Sequence, residues 1–93
     1  MVKITRFIKE KGQRAYRRSS SCSFGSMSMD EAVANDMRFA RMNEKSGRTK
    51  ILKKDYSNFG RDFTFIQESK KTGGRILTKI QDRPWKTAKK GGK

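Results

Sequence analysis

Apolar and polar positions change period several times along this chain. Over residues 2–9, Val2, Ile4 and Ile8 alternate with other residues, with a gap at Arg6. Ile4, Phe7 and Ile8 also suit helical spacing, but enrichment in Val, Ile, Thr and Phe predicts a strand. Gly12 breaks or bends it. Residues 19–28 read Ser-Ser-Ser-Cys-Ser-Phe-Gly-Ser-Met-Ser. That stretch has little to bury, and its hydroxyls compete for backbone hydrogen bonds, which predicts a mobile loop.

The clearest element follows. Ser28-Met29-Asp30-Glu31 fits a capping box, with Ser28 as N-cap and Glu31 three residues on. Met29, Ala32, Val33, Met37, Phe39 and Ala40 then form one helical stripe about 160° wide. Asp30 and Glu31 suit the positive end of the helix dipole, and Arg41 and Lys45 the negative end. Gly47 suits the residue just past the C-terminal cap. A helix is expected over 29–45. Its four carboxylates (Asp30, Glu31, Asp36, Glu44) outnumber Arg38, Arg41 and Lys45, so this segment is not drawn to phosphate.

Strands are expected over 49–56, 62–68 and 75–81. Ser57-Asn58-Phe59-Gly60 supplies one turn and Lys70-Lys71-Thr72-Gly73-Gly74 a second. The second turn has either two residues, with Thr72 opposite Arg75, or six, with Glu68 opposite Arg75. Either register puts Phe63, Phe65, Ile76 and Ile80 on one face, and Ile66, Glu68, Arg75, Leu77 and Lys79 on the other. The first face is the more apolar and should meet the helix.

The fold class is therefore α+β. One α-helix packs on a small three- to four-stranded antiparallel sheet in the order β-α-β-β-β, with a basic N-terminal arm and a flexible basic C-terminal tail. Core candidates are Ile4, Ile8, Val33, Met37, Phe39, Ile51, Phe63, Phe65, Ile76, Ile80 and Trp85. Residues 1–85 read as a single domain, and 86–93 as a disordered basic tail.

Composition narrows the chemistry. Of the 93 residues only 32% are hydrophobic, and the core must be small. A partner, or a second subunit in a homo-oligomer, is expected to add stability. The chain has no His and a single cysteine, Cys22, which excludes a Ser-His triad, an internal disulfide and a Cys/His zinc site. No acidic cluster has metal-ligand spacing, and Gly73-Gly74 opens a strand rather than the helix of a P-loop. No cofactor, metal or enzymatic activity is expected. No apolar run approaches the ~18–20 residues of a membrane span, and residues 1–7 lack the apolar centre of a signal peptide. A cytoplasmic protein with no membrane partner is expected.

The formal charge of +15 decides the partner class. Such an excess costs self-repulsion that a polyanion relieves, and phosphate contacts supply most non-specific nucleic-acid affinity. RNA is favoured over DNA, because basic arms suit irregular folded targets and no cationic groove-reading helix is evident. Candidate RNA-binding residues are Arg14, Tyr16, Arg17 and Arg18 in the arm, with Lys53, Lys54, Lys70, Lys71, Arg75 and Lys79. Tyr16 places an aromatic ring among cations, as base stacking requires. Phe63-Thr64-Phe65-Ile66 has the Phe-x-Phe-Ile pattern of RNA-stacking strands. The order Gly60-Arg61 and the lack of a second helix depart from the RNA recognition motif, and the register favours a core role. The alternative reading is a virus-type inhibitor or adaptor that docks through Asp36, Arg38 and Glu44 on a nucleic-acid-processing protein, acidic or RNA-bound, alone or in a ternary complex with RNA.

Overall fold

The computed structural model describes residues 1–57 and 59–82. Trp85 and the tail expected over 86–93 lie outside the described residues. Six elements follow in chain order: β1 (Val2–Lys9), β2 (Arg17–Phe24), α1 (Met29–Lys45), β3 (Thr49–Ser57), β4 (Asp62–Ser69) and β5 (Arg75–Asp82). The strands form one antiparallel sheet in the order β2-β1-β5-β4-β3, and α1 packs on one of its faces. The α+β class holds, with five strands in place of the three or four expected. Among the described residues no helix is long and apolar enough to cross a membrane.

The additional strand is β2. It replaces most of the mobile loop expected over 19–28 and the end of the arm expected over 14–18. All eight of its residues are exposed, so it has no apolar stripe to announce it. It exists because β1 offers a matching row of backbone donors and acceptors, with Val2 opposite Phe24 and Ile8 opposite Arg17. A register shift opposite Arg6 and Phe7 leaves Ser19 as the extra residue of a bulge.

The helix is built as its sequence implies. The Ser28 hydroxyl accepts from the Glu31 N–H at 3.1 Å, and the Glu31 carboxylate accepts from the Ser28 N–H at 3.3 Å. Ser46 is the C-cap. Gly47 follows at φ 84°, a left-handed conformation that glycine adopts without Cβ strain, and its N–H donates to the Glu44 carbonyl at 3.1 Å.

Glu68 pairs with Arg75, so the β4–β5 connection is the six-residue alternative. Phe63, Phe65 and Ile80 therefore face the helix and are buried with Val2, Ile4, Ala32, Val33, Met37 and Ala40. Ile51 is partly buried and packs against this cluster. Three other core candidates fare differently. Phe39 is 59% exposed. It sits at the margin of the 160° stripe, on the flank of the helix rather than along the line of Val33, Ala40 and Met37. Ile8 and Ile76 face each other across β1 and β5 but are half-buried. The last turn of α1 leans away from them toward β3, where the Glu44 carboxylate accepts from the Ile51 N–H at 3.1 Å.

Two polar features enter this layer. Arg6 reaches both carboxylate oxygens of Asp36 through one guanidinium nitrogen at 3.2 Å, and only 12% of the Asp36 side chain is exposed. Burial raises the Asp36 pKa and the Arg6 charge opposes the rise. Thr78 is 1% exposed, and its hydroxyl has no hydrogen-bond partner.

Candidate nucleic-acid interface

The phase of β1 determines what the other sheet face carries. Val2, Ile4 and Arg6 point toward the helix, so Lys3, Thr5, Phe7 and Lys9 point away from it. Following the register outward, the same open face carries Arg18 on β2 and Arg75, Leu77 and Lys79 on β5. It also carries Thr64, Ile66 and Glu68 on β4, and Lys50, Lys53 and Asp55 on β3. Lys3, Lys9, Arg18, Lys50, Lys53, Arg75 and Lys79 stand there against Asp55, Asp62 and Glu68. Arg75 and Glu68 form an ion pair at 3.2 Å.

At the centre of that face lies one continuous row across the sheet: Lys53, Ile66, Leu77, Phe7 and Arg18. Its middle is apolar and its ends are cationic. The Lys79 ammonium sits 5.7 Å from the Phe7 ring centroid, and the Lys9 ammonium 5.3 Å from that of Tyr16. Each such contact is worth about 0.5–1 kcal/mol at an exposed site. An aromatic ring under a flexible ammonium suits single-stranded nucleic acid.

Antiparallel pairing also brings the β1–β2 and β4–β5 turns to the same end of the molecule. A Cβ added at Gly73 would lie 3.4 Å from the Lys11 side chain. The start of β3 joins them, since the Lys70 N–H donates to the Arg48 carbonyl at 3.0 Å. Lys11, Arg14, Arg48, Lys70 and Lys71 thus gather where the open face ends.

The residues singled out from sequence divide accordingly. Arg18, Lys53, Arg75 and Lys79 share the open face, and Arg14, Lys70 and Lys71 share the basic end. Tyr16 is half-buried beside Lys9, between the two. Arg17 and Lys54 belong to the helix side by register, and Arg17 is paired with Glu10 at 3.2 Å. Phe63 and Phe65, at 4% and 2% exposure, offer no ring to a base. Sequence reasoning did not single out Phe7, Lys3, Lys9 and Lys50, which the register places on the open face. The signal was the strand period itself: with Val2, Ile4 and Ile8 on one side, Phe7 must lie on the other.

The alternative trio does not form a surface. Asp36 is largely buried and held by Arg6, whereas Arg38 and Glu44 are both exposed on separate sides of the helix, Glu44 accepting from the Ile51 N–H. Among the described residues no group of three His, Cys, Asp or Glu could hold a metal ion. The fold and face define a helix-on-sheet α+β protein with one cationic, aromatic-bearing sheet surface. No protein-family model matches the chain, nor does any curated protein or solved structure.

Proposed function

We propose that this protein binds single-stranded RNA across the open face of its sheet, with the basic end extending the phosphate path. The observation that carries the reading is the central row, in which Phe7, Leu77 and Ile66 are framed by Lys53 and Arg18, with Lys79 over the Phe7 ring. Cations without an apolar centre would fit any polyanion. An aromatic ring among them, on a sheet face that no helix among the described residues covers, adds the stacking that unpaired bases need and a duplex does not offer. The charge of +15 supplies the electrostatic share.

Fluorescence anisotropy with labelled oligouridine, oligothymidine and an RNA duplex tests this. Oligouridine should bind tightest, and its affinity should fall with salt. For about five neutralised phosphates, log K against log[salt] should slope about −3.5. Absence of binding at low salt, or tighter binding to the duplex, would refute it.

A further inference from the structure

The opposite face of the sheet is incompletely covered. Five strands span about 19 Å between the outer strand axes, whereas one helix with its side chains is about 10–12 Å wide. On the β2 side the positions of that face are Arg17, Ser20, Cys22 and Phe24, all exposed and, Phe24 apart, small or polar. On the β3 side they are apolar. A groove of about 870 Å³ lies there between α1 and the outer strands, with Val33, Met37 and Phe63 in its floor and Met42 and Tyr56 in its walls. Met42 is 59% exposed and Tyr56 52%. Helix residues from Asp30 to Lys45 line it, a run of about 22 Å at 1.5 Å per residue.

The charge around this groove is opposite to that of the helix as a whole. The Asp36 carboxylate is paired with Arg6, and those of Glu44 and Glu31, bonded to the Ile51 and Ser28 N–H groups, do not line the groove. What borders the groove is Arg38, Arg41, Lys45 and Lys54 against Asp30; Asp55 also lines it, but its side chain belongs to the open face by register.

We infer that the groove is a docking site for an acidic amphipathic helix of a partner protein, lying beside α1 as the second helix of the layer. Its length suits about four helical turns and far exceeds one nucleotide. Its floor needs an apolar stripe, which an RNA strand does not have. Its cationic rim needs acidic flanks, and a second copy of this chain would set Arg38 and Arg41 against their own equivalents. The site lies on the other side of the sheet from the proposed RNA face, and the inference stands independently of that reading.

The test uses the full 93-residue chain. The probe is a synthetic peptide of about 18 residues with Leu and Phe at helical spacing i, i+3, i+4 and i+7 and Glu elsewhere, beside a scrambled peptide of the same composition. Amide chemical-shift mapping should place the first peptide on Val33, Met37 and Tyr56. Met42→Glu and Arg41→Glu, both at exposed positions, should each weaken it roughly tenfold, which is about 1.4 kcal/mol. A peptide with Lys in place of part of its Glu should recover binding to Arg41→Glu. Lys53→Gln and Lys79→Gln should leave binding unchanged. Four results would each overturn the inference. These are equal binding of the scrambled peptide, wild-type affinity in both groove variants, displacement of the peptide by oligouridine, and self-association of the chain that Met42→Glu abolishes.

Discussion

Phe7 and Lys79 touch each other, yet the proposed mechanism gives them separable energetic signatures. In the free protein the Lys79 ammonium lies 5.7 Å from the Phe7 ring centroid. A stacked base must displace it. Base–aromatic stacking is worth about 1–3 kcal/mol, and the displaced contact about 0.5–1 kcal/mol. The net loss on Phe7→Ala should be about 0.5–2 kcal/mol, or roughly 2- to 30-fold in oligouridine affinity. This loss involves no phosphate, so it should be the same at every salt concentration. Lys79→Gln removes a phosphate contact instead. It should flatten the salt slope by about 0.7, from about −3.5 to about −2.8, and its penalty should shrink as salt rises.

Anisotropy titrations of both variants between about 50 and 200 mM salt distinguish the two patterns. The Phe7→Ala line should run parallel to wild type, and the Lys79→Gln line should converge on it. Both residues lie on the face away from the core, so circular dichroism should show an intact fold. Undiminished affinity in Phe7→Ala would refute the stacking role. A slope change of the same size in both variants would refute the division of labour.

Three predictions concern the scaffold. Ser28→Ala removes the hydroxyl that caps α1 and should cost about 0.5–2 kcal/mol in urea unfolding; no loss would mean the capping box carries no stability. Thr78→Val replaces a buried hydroxyl that lacks a partner with a methyl group of the same shape, and should raise stability by about 1–2 kcal/mol in the same assay; a loss would show that the hydroxyl is hydrogen-bonded. Asp36 has a pKa raised above its ordinary 3.8, so the folded protein holds this proton more tightly than the unfolded chain does. Its contribution to stability is therefore greatest below 3.8 and declines as pH rises through the raised value. Asp36→Asn should abolish that decline while changing stability at neutral pH by no more than about 1 kcal/mol, because the cost of burying the carboxylate outweighs the attraction of Arg6. Acid-range unfolding curves identical to wild type would contradict this.

Local patterns were legible wherever a residue's role depended on its near neighbours. The Ser28–Glu31 cap, the helix over 29–45 and the strands expected over 2–9, 49–56, 62–68 and 75–81 follow from periodicity and turn residues within a few positions, and the last three strands each run one residue longer. The burial of Phe63 and Phe65 followed from parity, since both plausible turn lengths put them opposite Ile80 or on its side of the sheet. The high charge was equally plain, and with it the class of partner that such charge suits.

What tertiary structure decided was adjacency. The strand β2 has no amphipathic period, because an edge strand can be held by backbone bonds alone, and only its pairing with β1 makes it a strand. Insertion of β1 between β2 and β5 put Phe7 beside Leu77 and under Lys79, residues some seventy positions away in the chain. The same insertion brought the turns around Arg14 and Lys71 to one end, turning dispersed lysines and arginines into a surface. Net helix charge misled for the same reason. Asp36 is paired with Arg6 and Glu44 is turned to the Ile51 N–H, partners no sequence window contains, and the flank that lines the groove is cationic. Charge and period are properties of a segment. A binding face is a property of which segments the backbone hydrogen bonds place side by side.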